Sequence, residues 1–283
     1  PEHWFCDEQE KRRKDNLVPE DLTFQTKPQI ALELINKVVA TGLFPAQWIG
    51  CDAAFGADSN FLKSLPEELY YFASIRSNTK VFLDKPKVGI PPYKGRGPRP
   101  RHRKVLPGQP QGQRVSKIAQ SHLCSWTPVV LAEGAKGPIV AEVARLRVYP
   151  SKDGLPADSC LWLFIRKTAE GQIKYAFSNA PANMPLSQMC KASTMRWPIE
   201  QCFQDGKDQL GMDQYEHRSW PAWHRHMSYI FLALHFLLRL RIQYKKNSSP
   251  HSSSGTQINC NSITPVFAHS KGGFRNCEVS YST

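Results

Sequence analysis

Residues 196–227, RWPIEQCFQDGKDQLGMDQYEHRSWPAWHRHM, concentrate the chain's chemistry-bearing side chains. Glu200 stands four residues after Arg196 and seven before Lys207. On a helix that turns ~100° per residue, all three side chains point the same way. A carboxylate between two cations suits a metal ligand working beside a phosphate. The same spacing also describes a surface ladder of ion pairs, which is the commoner arrangement on an amphipathic helix. Pro198 lacks an N–H and fits only a first helical turn, so the spacing predicts a helix beginning near residues 195–197, with Arg196 at its edge. Past Gly211 the run is dense in aromatics and bases, among them Arg218 and Arg225. His217, His224 and His226, with Cys202, match no zinc-ligand spacing.

A second stretch, QWIGCDAAFG at 47–56, reads as a short buried strand ended by Gly56. Asp52 falls at the strand's carboxyl tip, with the small Ala53 and Ala54 behind it. An acid in that place leaves room for a metal and a phosphate. It equally suits an Asp that caps the turn or helix after the strand.

The 196–227 stretch resembles the C-terminal signature of bacterial insertion-sequence transposases of the DDE group, which have a ribonuclease-H-like core. Within that group it is most similar to the insertion-sequence 701-like branch. The matching residues are Arg196, Trp197, Ile199, Glu200, Cys202, Phe203 and Lys207, continuing through Gly211, Asp213, Tyr215, Glu216, Arg218, Trp220, Trp223, Arg225 and His226. The superfamily motif is Tyr, two residues, Arg, three residues, Glu, six residues, Lys; here Ser193 stands at the Tyr position. The resemblance makes Asp52 the second catalytic Asp and Glu200 the catalytic Glu. Both would be ligands of Mg²⁺ or Mn²⁺, with Arg196 and Lys207 positioning phosphates. It implies metal-dependent cleavage at transposon ends and strand transfer into double-stranded target DNA. It also implies a homodimer in a synaptic complex and a bacterial, cytoplasmic, nucleoid-associated protein. The resemblance extends over about residues 1–245.

The charge pattern agrees with a polyanion partner. The 283 residues carry a formal net charge of +13. Residues 85–117 contain ten Lys and Arg and no acid, so the remainder is close to neutral at +3. Prolines and glycines interleave with these bases, which predicts an extended arm without regular structure. Arg96, Arg99, Arg101, Arg103 and Lys104 are its expected DNA contacts, joined by Arg218 and Arg225. A solvated linker is the alternative for such an arm. The eight cysteines are scattered singly, with no Cys-x-x-Cys pair, which fits a reducing compartment rather than a disulfide scaffold. No apolar run is long enough to span a membrane.

The expected fold class is α/β, an incomplete ribonuclease-H-like core interrupted by a β-rich insertion subdomain. Residues 1–76 form the partial core carrying Asp52, with Trp4 and Phe5 as anchors. A helix over 28–41 presents Ile30, Leu34 and Val38 together with Leu32, Ile35 and Val39, and strand 69–76 follows. The arm occupies 77–126. Strand patterns over 127–134, 139–150, 160–167 and 173–180 make 127–185 the insertion, with Trp126 and Trp162 as packed rings rather than base-stacking platforms. Helices fill 186–245, the last one burying Tyr229, Ile230, Leu232, Phe236, Leu237 and Leu240. Residues 246–283 lose periodicity and read as a disordered tail.

The chain starts at Pro1 without Met, and a fragment is the simplest reading. No residue matches the family's first catalytic Asp; Asp7, Asp15, Asp21, Asp205 and Asp208 lie in the wrong context. The expectation is therefore a piece of a transposase that does not cleave DNA alone. The alternative is a catalytically dead DNA-binding remnant. A more distant rival is a basic protein in which Asp52 and Glu200 are structural.

Overall fold

The computed structural model describes residues 2–93, 95, 99–134, 137–195, 197–247 and 266–268. In chain order the elements begin with α1 (Glu10–Asp15), α2 (Lys27–Ala40), β1 (Trp48–Cys51), α3 (Ala53–Gly56), α4 (Ser59–Lys63) and β2 (Tyr70–Ile75). Then come β3 (Lys80–Phe82), β4 (Val88–Gly89), β5 (Lys104–Val105), β6 (Gln113–Arg114) and α5 (Val115–Ala119). The long strands β7 (Thr127–Gly134), β8 (Gly137–Lys152), β10 (Leu161–Thr168) and β11 (Ile173–Ser178) follow, with short β9 (Leu155–Pro156) between β8 and β10. The chain continues through α6 (Leu186–Thr194), α7 (Trp197–Leu210), α8 (Trp220–Asn247) and β12 (Val266–Ala268). Contacts divide it into two compact units, one of residues 1–30 with 196–262, the other of residues 31–195 with 263–283.

The larger unit is built on one mixed sheet. Among the described residues ten strands join it, in the order β12–β1–β2–β11–β10–β8–β3–β6, with β7 and β9 also paired to β8. β1 runs parallel to both β12 and β2, and every pairing from β2 to β11 onward is antiparallel. Alternation along the strands gives the sheet two apolar faces, as a two-period pattern requires. On one face Ile49, Cys51, Tyr71, Ala73, Phe177, Leu163 and Ile165 pack with Ile35 of α2, Phe55, Phe61 and Ile118. On the other, Trp48, Phe72, Phe164, Val143 and Trp162 pack with Met189, Cys190 and Ala192 of α6. The result is the α/β class expected, a many-stranded mixed sheet with helices, consistent with a ribonuclease-H-like core.

Several expectations are corrected in detail. The strands of 127–185 extend the sheet that holds β1, because β11 pairs with β2. The basic arm is not irregular throughout. β4 pairs with β5, β6 pairs with β3, and Val115 and Ile118 of α5 are fully buried, because nonlocal pairing with β3 draws 113–119 onto the core. On α2 the buried stripe centres on Ile35, flanked by Ala31, Leu32 and Val39. Ile30 and Leu34, one step off that stripe, are exposed. Most of residues 246–283, read as a tail, lies outside the described residues. Within it, Val266–Ala268 forms β12, whose apolar Val-Phe-Ala pairs with the edge of β1. Trp162 is buried, as the packing assignment required. Its indole N–H donates to Pro181 O at 3.0 Å, and Arg145 and Arg147 stack on its ring at 4.5 and 5.1 Å.

The smaller unit holds α1, α7 and α8. Phe5 packs on Phe24, Arg12 stacks over Trp4 at 4.7 Å, and Trp220 N–H donates to Asn16 O at 2.8 Å. Asp205 of α7 accepts from Gln201 and from Arg241 of α8, which holds its carboxyl below the usual range. α8 buries Ile230, but Tyr229, Leu232 and Phe236 are exposed, contrary to the expected face. Among the described residues the helix that α8 packs on most extensively is α7, which covers one stripe of it. Among the described residues no helix is long and apolar enough to cross a membrane.

Candidate active site

Asp52 is one of two buried polar residues among those described, at 4% exposure. The sequence WIGC makes β1, and the short Ala53–Gly56 helix starts at once after it. Asp52 is the hinge between them. Its backbone is still extended, and its Oδ1 accepts from Ala54 N–H at 2.9 Å and Phe55 N–H at 3.2 Å. The capping role foreseen as an alternative is therefore real, and it coexists with burial at a strand's carboxyl tip. Both cap bonds end on Oδ1, so Oδ2 is not part of the cap. Burial and the neighbouring Asp52 charge push the Cys51 thiol up to about 12, burial being the larger cause.

Two neighbours fix this hinge. Phe55 is buried and packs its ring on Phe61 at 5.0 Å. Gly56 lies against β2 so closely that a Cβ built on it would sit 2.0 Å from the Ser74 carbonyl oxygen. Sequence reading took Gly56 only as a turn marker. Its function is close approach, holding α3, and with it the Asp52 cap, onto β2.

Glu200 lies in the first turn of α7 and is exposed. Lys207 is exposed near the end of the same helix, so the seven-residue relation is realised on α7. Arg196 lies outside the described residues. α7 begins at Trp197 with Pro198 in its first turn, as the missing N–H demands. Asp52 and Glu200 belong to different compact units.

Of the expected DNA contacts, Arg96 lies outside the described residues. Arg99, Arg101, Arg103 and Lys104 are exposed; Arg99 stacks over Tyr93 at 5.5 Å, and Lys104 opens β5. Arg218 and Arg225 are exposed, the latter on α8. Gly211 (φ +67°) closes α7, and Met212 folds back onto Gly206, where a Cβ would meet its Cε at 2.7 Å. His226 faces Gly211 O at 3.2 Å, which anchors the aromatic–basic turn on α8.

The donor set fits a divalent metal in part. The Asp52 carboxylate is a hard oxygen donor at a fixed position, as Mg²⁺ requires. Among the described residues no three His, Cys, Asp or Glu side chains gather as a metal-binding group.

No curated protein matches the chain. A family model described as DDE superfamily endonuclease matches residues 1–138. That span includes β1, Asp52, the Gly56 contact and the basic arm. Glu200, Lys207 and the aromatic–basic turn lie beyond it. Over residues 1–138 the chain is similar to the DDE superfamily endonucleases.

Proposed function

We propose that this protein is the DNA transposase of an insertion sequence, acting on double-stranded transposon-end and target DNA. The observation that carries the reading is the buried Asp52 at the carboxyl tip of β1, within the residues matched by the endonuclease family. In this reading Asp52 and Glu200 hold Mg²⁺ or Mn²⁺, which when bound supplies Lewis-acid activation at a phosphodiester. The chain's own residues do the rest. The Ala54 and Phe55 amides orient the Asp52 carboxylate. Lys207, with Arg196, offsets phosphate charge. The exposed arm cations Arg99, Arg101, Arg103 and Lys104 track the DNA backbone.

The test compares wild type with Asp52→Asn in thermal melts with and without Mn²⁺. Asn keeps an acceptor for the cap and removes the charge. Wild type is expected to gain stability with the metal and the variant to gain none. Equal responses would overturn the assignment of Asp52 as a ligand. The second reading, a DNA-binding remnant without a metal site, is favoured by the lack of a three-ligand cluster among the described residues. It predicts duplex binding that Mn²⁺ does not change.

A further inference from the structure

The apolar side chains of α8 exceed what its packing within the smaller unit covers, and the excess is ordered. The covered stripe runs through Met227, Ile230, Leu234 and Leu237, with Ile230 buried. A second stripe, Tyr229, Leu232 and Phe236, has the i, i+3, i+7 spacing of a helix–helix seam. At ~100° per residue it lies about a third of a turn round from Ile230. These three side chains are 65%, 65% and 60% exposed. The same stripe turns polar at both ends, with Arg225 before Tyr229 and Arg239 after Phe236. The apolar seam is therefore finite, about two turns long. No acid occurs in Trp220–Asn247. The other flank, Phe231, Leu238 and Ile242, is less exposed, at 53%, 55% and 49%, and the exposed His235 stands within it.

We propose that the Tyr229–Leu232–Phe236 seam pairs with the same seam of a second copy of this chain, antiparallel, to form a homodimer. This goes beyond the DNA-acting function and does not depend on it. Area favours a second copy as the occupant. With ~200 Å² for a whole aromatic side chain and somewhat less for Leu, the three residues leave roughly 350 Å² of apolar surface in one stripe. A standard interface takes about 800 Å² from each partner, a little over half of it apolar. The seam supplies most of that apolar share, and Arg225, Ser228 and Leu240 beside it supply the rim. Used twice across a two-fold axis, one such patch closes on itself and leaves no apolar stripe over.

Charge sets the orientation. Parallel helices would place Arg225 against Arg225 and Arg239 against Arg239, and α8 has no acid to offset either pair. Antiparallel helices centred between Ile230 and Phe231 avoid both. Tyr229 then sits beside the partner's Leu232, Arg225 lies over the ring of the partner's Phe236, and Arg239 meets the partner's Ala222, where a small side chain leaves room.

The experiment is sedimentation equilibrium of the full chain without DNA over about 1–200 μM, because an interface at the small end of the size range binds in the micromolar range. Wild type is expected to move from the 32.1 kDa of one chain towards twice that mass as concentration rises. Leu232→Arg and Leu232→Glu put charge in the seam at an exposed position, and each alone should associate at least ~10-fold more weakly. Their equimolar mixture should recover the dimer, because opposite charges then meet across the axis; a folding defect would not be repaired in this way. Leu238→Arg, on the other flank, should dimerise as wild type does. Arg225→Ala should weaken the dimer roughly fivefold or more, since its contact with Phe236 is made twice.

A wild type that stays monomeric throughout, a Leu232 variant that dimerises alone, or a mixture that stays monomeric would overturn the proposal. A dimer lost in Leu238→Arg and kept in the Leu232 variants would move the interface to the other flank and overturn this one. An unchanged or tighter dimer in Arg225→Ala would overturn the antiparallel order. Flotation of monomeric wild type with vesicles of equal parts phosphatidylcholine and phosphatidylglycerol, lost in Leu232→Glu, would assign the seam to a membrane surface and overturn the homodimer.

Discussion

Gly56→Ala is the sharpest perturbation of the Asp52 hinge. The added Cβ would lie 2.0 Å from the Ser74 carbonyl oxygen and 3.1 Å from its carbon. Carbon–oxygen contacts settle near 3.3–3.6 Å, so more than ~1 Å of separation must be found between two backbone segments. No side chain can rotate away, because the obstacle is β2 itself. Overpacking of this kind costs about 1–3 kcal/mol. Helix propensity pulls the other way, by up to ~1 kcal/mol for Gly to Ala in a helix interior. Gly56 ends α3, so that gain is smaller here, and the clash wins by about 1–2 kcal/mol. Urea denaturation of wild type, Gly56→Ala and Gly42→Ala separates the effects. Gly42 has φ +64° with nothing within 4 Å of its Cβ position, so its variant reports backbone strain alone. A Gly56→Ala protein as stable as wild type, or more so, would refute the close-approach argument. It would also remove the reason for holding α3 on β2.

The Cys51 thiol makes stability pH-dependent. Its folded pKa of about 12 is raised by burial and then by Asp52, so its contribution is complete below the unfolded value near 9 and declines as pH rises. The slope is about 1.4 kcal/mol per pH unit between those values. Cys51→Ala should flatten the stability profile between pH 9 and 10.5, and an unaltered profile would refute the assignment. Neutralising Arg99, Arg101, Arg103 and Lys104 together should reduce the salt slope of duplex binding by up to ~4; a slope equal to wild type would leave the arm a solvated linker. Trp162→Phe removes the bond to Pro181 O and weakens the stacking of Arg145 and Arg147, and should cost about 1–2 kcal/mol in urea denaturation. A change below ~0.5 kcal/mol would mean that the indole N–H bond and the stacking contribute little and that the two guanidinium groups are held by their backbone bonds alone.

Local pattern made much of this legible. Strand 127–134 has the bounds its pattern implies, the helices after the strands begin at Leu186, and Asp52 lies at the tip of the strand read from Trp48, Ile49 and Cys51. Pro198 located the start of α7 because a missing N–H has one comfortable place. What escaped reading was set by partners far along the chain. β3 and β6 are three- and two-residue strands that exist because Val81 meets Gln113, and neither has a period long enough to see. The covered stripes of α2 and α8 were misjudged because apolar content on a helix exceeds what its packing partners can cover. Gly56 was visible as a residue, but its contact with Ser74 was not, since β2 begins well after it.

The seam between β2 and β11 has a consequence for synthesis. Ile75 pairs with Tyr175, 100 residues later, and Asn179 ties the seam shut through Tyr71 N–H and Leu69 O. At ~5–20 residues per second, β2 emerges about 5–20 s before its partner exists. During that interval the hydrogen-bonding edge of Tyr-Tyr-Phe-Ala-Ser-Ile is open beside apolar side chains, a template for pairing with another nascent chain. The residues that intervene begin with the cationic, proline-rich arm. A charged, poorly stacking segment leaves the ribosome right after the vulnerable edge, so the stretch that suits a polyanion also discourages two growing chains from docking edge to edge.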